Sequence, residues 1–314
     1  MSKATTILVT GANGQIGSVL VKALRAAYGN EHVVATDIRP SSEPDAGLFQ
    51  LLDALDSRAL AASIERWQVT EVYHLAAILS ARGEQNPRQA WDINMSGLFN
   101  ILEAARQYGL KVFFPSSIAV FGKHVDPVQT PQFSTLAPTT VYGISKAAGE
   151  NWGQYYFLKY GVDVRSLRYP GIIGYQSLPG GGTTDYAVEI YHAALKGERY
   201  SCFLAPHATL PMMYMDDAIR ATLEIMGAPA ENIRVRTSYN LAGMSFSPAE
   251  IAASIQAHLP AFEVEYNPDF RQQIAESWPQ SIDDSHARAD WGWKPAYDLA
   301  AMTKEMLEKL AVTV

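Results

Sequence analysis

Strand-like and helix-like stretches alternate along the first half of this chain, and no other feature restricts its fold as much. A β-branched and aliphatic run occupies 5–10, and further strand-like stretches occupy 32–37, 71–77, 111–117 and 163–169. Between them apolar residues recur at helical spacing: Ile16, Leu20, Ala23, Leu24 and Ala27 before Gly29, then 57–68, 87–108 and 140–160. Short apolar strands joined through helices build right-handed crossovers, and these give a parallel sheet covered on both faces. The pattern predicts a doubly wound α/β domain over residues 1–174. Beyond Gly174 the regularity gives way to a Pro/Gly-rich loop at 176–184 and scattered elements. We read helices near 185–196, 216–226, 248–258 and 298–310, and strands near 200–204, 238–241 and 263–266. Residues 175–314 are expected to form a smaller substrate-binding cap, with some segments returning to the first domain. The cap should sit over the carboxyl ends of the strands, where such folds bind ligands.

Gly11, Gly14 and Gly17, in GANGQIG, fall between the first strand and the first helix. Glycines at this spacing permit a tight turn, close approach of backbone to a pyrophosphate, and close helix-to-strand packing. The free N–H groups of the helix start attract the anion. Asp37 closes the second strand 20 residues after Gly17. A carboxylate there accepts hydrogen bonds from both adenosine ribose hydroxyls and repels a 2′-phosphate, favouring NAD over NADP. Arg39 is read as a solvated loop cation.

Tyr142 and Lys146 form a YxxxK pair whose spacing puts both side chains on one helix face. A phenol is a poor base near neutral pH until a cation stabilises its phenolate, and Lys146 is expected to be that cation. Ser117, at the end of its strand in PSSIAVFG, offers a hydroxyl to hold a substrate oxygen beside Tyr142. A second pair, Tyr155 and Lys159, has the same spacing. It lies ~20 Å further along the helix on nearly the opposite face, and is read as packing or surface.

Composition narrows the partners. With 48% hydrophobic and 18% charged residues the chain is an ordinary globular one. Lys and Arg number 25 against 32 Asp and Glu, a net charge of −7, so neither nucleic acid nor an anionic membrane is an expected partner. The first ten residues carry only a short apolar run, so neither a signal peptide nor a membrane span is expected. The single cysteine, Cys202, excludes an intrachain disulfide and fits a reducing compartment, taken as cytoplasmic. Seven histidines without an HExxH motif or a carboxylate cluster support no metal site.

Taken together, TGANGQIG, HLAA at 74–77, Asn94, SSIAVFG, YGISK, RYPGIIG and MDDA at 215–218 resemble the extended short-chain dehydrogenase/reductase family along almost the whole chain. The resemblance implies a Rossmann domain that binds NAD. It implies that Asp53 meets the adenine amine, that Leu75, Ala76 and Ala77 line the cofactor, and that Tyr169, Pro170 and Ile172 flank the nicotinamide. Gln15, Ile16, Ile38, Arg39, Leu52, Asn94, Ser116, Tyr142 and Lys146, the last holding the ribose, complete the implied dinucleotide shell. Asn94 is implied to hold a helix carbonyl and an active-site water in a proton relay with Lys146.

Nucleotide-sugar members of the family usually carry an Arg-Asp-aromatic stretch before the paired aspartates, and here that stretch is Leu210, Pro211, Met212, Met213, Tyr214. Dehydratases place Asp-Glu after the strand-end hydroxyl residue, where this chain has Ile118 and Ala119. The glycines and threonines of GGGTTDYA, at 180–187, instead suit a compact ligand with a carboxylate at the start of the next helix. With HLAAILSARGEQNP and FPSSIAVFG, that stretch is similar to the short-chain type L-threonine 3-dehydrogenases. The similarity implies that Ser80, Ser117, Tyr142, Gly182, Thr184, Asp185 and Trp278 surround an amino acid whose 3-hydroxyl is oxidised. The alternatives are a nucleotide-sugar 4-epimerase or reductase of the same family and an NAD-sensing module without turnover. The helices over 87–108 and 140–160 are apolar or aromatic on more than one face, and in this family the equivalent helices pair across a two-fold axis, so a homodimer is expected.

Overall fold

The computed structural model describes residues 5–41, 46–180 and 182–312. Of the residues singled out above, 1–4 and Gly181 lie outside them. The central sheet has seven strands, all paired in parallel. In chain order its strands are β1 (Ile7–Thr10), β2 (Val33–Asp37), β3 (Phe49–Leu51), β4 (Glu71–His74), β5 (Lys111–Ser117), β6 (Val164–Tyr169) and, after three strands of the C-terminal part, β10 (Tyr239–Asn240). They lie side by side as β3-β2-β1-β4-β5-β6-β10, so the connections reverse direction between β1 and β4.

Side-chain alternation sorts the core into two layers. Ile7, Val9, Val33 and Ala35 face α1 (Gln15–Tyr28) and α8 (Met215–Gly227), whereas Leu8, Val34, Val72, Val112 and Phe114 face α2 (Ser57–Trp67) and α5 (Gly97–Tyr108). Both faces of β1 and β2 are buried, which is why these strands read as unbroken apolar runs. The longest helix, α6 (Val141–Tyr160), starts where Thr140 Oγ1 accepts from Gly143 N at 3.1 Å and ends on Gly161, in the left-handed region.

The stretch 87–108 is helical throughout but not uniform. α4 (Pro87–Trp91) and α5 flank a π-helical turn, Asp92–Ser96, that contains Asn94. The C-terminal third has a core of its own. It is built from α7 (Tyr186–Leu195), α9 (Pro248–Gln256), α12 (Leu299–Ala311), and a three-stranded sheet in which β9 (Leu210–Tyr214) lies between β7 (Gly171–Ile173) and β11 (Met244–Phe246). β8 (Tyr200–Cys202) pairs with β12 (Val264–Tyr266). Three short helices, α3 (Ser80–Gln85), α10 (Arg271–Ala275) and α11 (Ser285–Trp291), were not foreseen, nor were β3, β7, β9 and β11. The segment expected as a strand near 238–241 supplies β10, and α8 packs on α1, so the chain beyond Gly174 contributes to both parts. Among the described residues no helix is long and apolar enough to cross a membrane.

Candidate active site

Two cavities meet over the carboxyl ends of β1 and β4 and share Gly11, Gly14, Leu75 and Ala77. This is the reversal point of the sheet, the place where open α/β sheets bind ligands.

The glycine loop is bare because nothing else fits. Gly11 has φ +72°, and a Cβ on it would lie 2.7 Å from Ala76 N; a Cβ on Gly17 would lie 2.2 Å from Gly11 O. α1 begins at Gln15 with no side chain capping its first N–H groups, which leaves them to an anion. Asp37 is buried beside this loop, its Oδ2 accepting from Asn13 N at 3.0 Å and its Oδ1 from Arg39 N at 3.1 Å. Each carboxylate oxygen keeps a further lone pair. Asp37 lines the second cavity with Ile38, Arg39, Leu52, Asp53 and Ala76. Arg39, expected to be solvated, also places Nε 3.6 Å from Asp37 Oδ1. The first cavity holds Gln15, Ile16 and Gly17. A tight bare loop, unspent helix N–H groups and a buried acceptor fit the phosphates and ribose of an adenine dinucleotide.

Ser116, Ser117, Tyr142, Lys146, Tyr169, Pro170 and Ile172 line the first cavity, together with Ser80, Gly182, Thr184, Asp185 and Trp278. β5 and α6 bring the reactive groups together. The Ser117 hydroxyl shares this cavity with the Tyr142 phenol and accepts from Ala119 N at 3.2 Å. Lys146 Nζ donates to Pro115 O at 2.7 Å and lies 5.5 Å from the Tyr142 ring centroid. Burial raises the phenol to about 12, with Ser117 opposing it. Burial lowers Lys146 to about 7. In the ligand-free protein the phenol is not lowered by Lys146 as expected: the lysine is itself desolvated and directed at a carbonyl, and the group that opposes the rise is Ser117. His74, at the end of β4, is held down to about 3 by burial and then by Lys146. It stays neutral, with Nδ1 2.8 Å from Thr10 Oγ1.

Two further expectations change. Asn94 meets a loop, not a helix carbonyl: its Oδ1 accepts from Ile78 N at 2.8 Å, and its Nδ2 donates to Ile78 O and Ser145 Oγ, both at 3.1 Å. Ser145 in turn donates to Tyr142 O at 2.7 Å, so Asn94 reaches the first turn of α6 only through that hydroxyl. The π-helical turn is what places the amide there. Ser116 lines the cavity, but its hydroxyl is committed to Glu150. Tyr155 and Lys159 pair with each other at 2.8 Å on the exposed side of α6 and line neither cavity.

The comparisons with known proteins now bear on this geometry. Residues 7–242 match the model of the NAD dependent epimerase/dehydratase family. The chain belongs to this family. It is 49% identical over 308 residues to an uncharacterized epimerase/dehydratase of Staphylococcus haemolyticus, covering 97% of each chain. Among solved structures it is similar to the holo form of a GalE-like L-threonine dehydrogenase from Cupriavidus necator, with 56% identity, TM-score 0.96 and coverage of 97% of this chain and 99% of that one. It is also similar to a monomeric L-threonine 3-dehydrogenase from a metagenome, apo form, with 48% identity, TM-score 0.95 and coverage of 98% and 99%. The protein is thus an NAD-dependent enzyme of the extended short-chain dehydrogenase/reductase type.

In the same cavity the structure distinguishes the two threonines of the GGGTTDYA stretch, of which the similarity had implied only Thr184. Thr183 is buried, lines the first cavity, and its hydroxyl has no partner among the described residues. The neighbouring Thr184 packs its methyl group toward Gly171. Asp185 Oδ2 accepts from Gly182 N at 2.7 Å and so shapes the turn as well as lining the cavity. The two threonines look alike in sequence; only the fold shows which hydroxyl is buried without a partner. The stretch from Leu210 to Tyr214 is buried throughout in β9 and lines neither cavity.

Proposed function

We propose that the protein oxidises the 3-hydroxyl of L-threonine to 2-amino-3-oxobutyrate. The observation that carries this reading is the buried, unpartnered Thr183 hydroxyl in the same cavity as Ser117 and Tyr142. A small polar substrate satisfies that hydroxyl, and the neighbours described as L-threonine dehydrogenases support the choice. Ser80, Thr183 and Thr184 would take the carboxylate, with Gly182, Asp185 and Trp278 closing around the amino acid. Ser117 would hold the 3-oxygen beside Tyr142.

Bound NAD supplies the hydride acceptor and a positive ring charge. Gly11, Gly14, Gly17 and Asp37 would hold its phosphates and adenosine ribose, with Tyr169, Pro170 and Ile172 beside the ring. Tyr142, as its phenolate, would then take the proton of the 3-hydroxyl. A phenol raised to about 12 is protonated at rest, so this role needs positive charge near it when the complex is formed, and protonated Lys146 contributes part of that charge. Asn94 fixes the loop after β4 against α6. The reading includes a homodimer and a cytoplasmic setting. A nucleotide-sugar substrate finds no support, because β9 buries every residue of the stretch where a diphosphate anchor would stand.

The test is NADH absorbance on mixing protein, NAD and a panel of 3-hydroxy amino acids and UDP-sugars. L-Threonine should give the signal and UDP-sugars none. Tyr142→Phe should lose roughly 100- to 10,000-fold in rate while still binding NAD. No NADH with any 3-hydroxy amino acid would end this reading.

A further inference from the structure

Two consecutive residues of β5 are tied to α6, and the next shares the cavity with it. Pro115 O accepts from Lys146, Ser116 Oγ donates to Glu150 Oε1 at 2.5 Å, and Ser117 lines the cavity with Tyr142. The helix residues, 142, 146 and 150, are four residues apart and share one face. Two of them line the cavity; Glu150 does not. Instead it is 1% exposed and meets Arg168, 4% exposed, through a two-point pair: Nε to Oε1 at 2.9 Å and Nη2 to Oε2 at 2.7 Å.

Arg168 is also a node across the sheet. In register, Ser116 on β5, Arg168 on β6 and Asn240 on β10 form one row. Arg168 Nη1 donates to Asn240 Oδ1 at 3.0 Å and to Gln132 O at 2.9 Å. Asn240 Nδ2 continues to Thr130 O at 3.0 Å and Asp283 O at 3.1 Å, and Thr130 bridges Ile282. The strap through 280–283 follows directly on Trp278, which lines the substrate side of the cavity.

We propose that Glu150 and Arg168 are a positioning pair that holds the Tyr142 helix in register over Ser117 and fixes the strap carrying Trp278 against the same cavity. Neither touches the cavity. A buried ion pair is poor evidence of stabilisation, since apolar residues of similar volume often serve stability as well. What they cannot reproduce is the forked, two-sided geometry of a guanidinium. The pair thereby sets substrate KM and turnover, and leaves the adenosine end of the cofactor site alone. This inference rests on the role given to Tyr142 and Ser117 under Proposed function.

The experiment compares Arg168→Met, the double variant Glu150→Leu/Arg168→Met, and Arg168→Lys with the wild type. It reads Tm, ADP-ribose affinity, KM and kcat for L-threonine, and hydrogen exchange over 280–283. The double variant is expected to regain most of the Tm lost by Arg168→Met, while kcat/KM stays down by about 100-fold and ADP-ribose affinity is unchanged. Wild-type KM and kcat in a double variant of restored Tm would overturn the proposal and leave the pair a structural one. Should the double variant not fold, Arg168→Lys decides. Faster exchange at 280–283 with raised KM supports positioning, and unchanged exchange and KM overturn it. If the wild type itself does not oxidise L-threonine, the substrate reading falls separately, and exchange in Arg168→Lys still answers for the strap.

Discussion

Lys146 is buried where a charge is costly, and its pH behaviour follows from that. Its folded-state value of about 7 lies below the ordinary 10.5. Between those limits the unfolded chain binds the extra proton, so this residue makes stability rise with pH from about 7 toward 10.5 and weighs against folding most heavily below 7. Lys146→Met should therefore stabilise the ligand-free protein at pH 6 by roughly 1–4 kcal/mol, with the advantage shrinking toward pH 10, while turnover is lost. Thermal melts across that range check it; an advantage that grows with pH would contradict the assignment. Thr183 repeats the pattern without a charge. Its hydroxyl is desolvated and unpartnered, so Thr183→Val should gain about 1–3 kcal/mol in the free enzyme. The KM for L-threonine should rise by roughly 10- to 100-fold. Unchanged KM in Thr183→Val would remove this residue from the substrate wall. At Thr183 the free protein carries a cost that a polar group of the bound substrate would relieve.

Elements differ in how openly the sequence announces them. β5 and α6 were legible because each is long and its ends are marked, β5 by the apolar stretch Val112–Pro115 running into the paired serines and α6 by Thr140 and Gly161. β3, β7 and β11 have three residues each, too few to show an alternation. β9 is buried along its whole length, so it reads as a featureless apolar run. The π-helical turn at Asp92–Ser96 keeps a helix-like spacing, and the role of Asn94 is visible only once Ile78 is seen beside it. The arginines of β6 were hidden for a related reason. VRSLRY was read correctly as a strand, but nothing local says where a buried guanidinium goes. Arg165 Nη1 donates to the carbonyls of Ile225 and Ala228, each at 2.6 Å, and Lys111 Nζ to that of Met226 at 2.9 Å, closing the C-terminus of α8 from the opposite side of the sequence. The NAD loop and the Ser117, Tyr142, Lys146 grouping were legible because their chemistry demands fixed residue types at fixed spacing. Thr183 and the Glu150–Arg168 pair were not, since their meaning lies in what surrounds them.

At the scale of the molecule, α4 and α6 leave Trp91, Ile144, Trp152, Tyr155, Leu158 and Tyr160 exposed, and Trp152 and Tyr155 stack edge to face. Aromatic surface of this kind is costly to leave in water, and a second copy meeting it across a two-fold axis is the proposed cover. Sedimentation at micromolar concentration should give twice the chain mass; a single-chain mass would place this protein with the monomeric metagenomic enzyme. The cap and the sheet are woven together, because β10 joins β6 only after the chain has passed through β7, β8 and β9. During synthesis the sheet cannot be finished until Asn240 has emerged from the ribosome. Until then the flank of β6 offers bare backbone hydrogen-bonding groups to any passing polypeptide, so the nascent enzyme is exposed to mispairing long after its dinucleotide loop has been made.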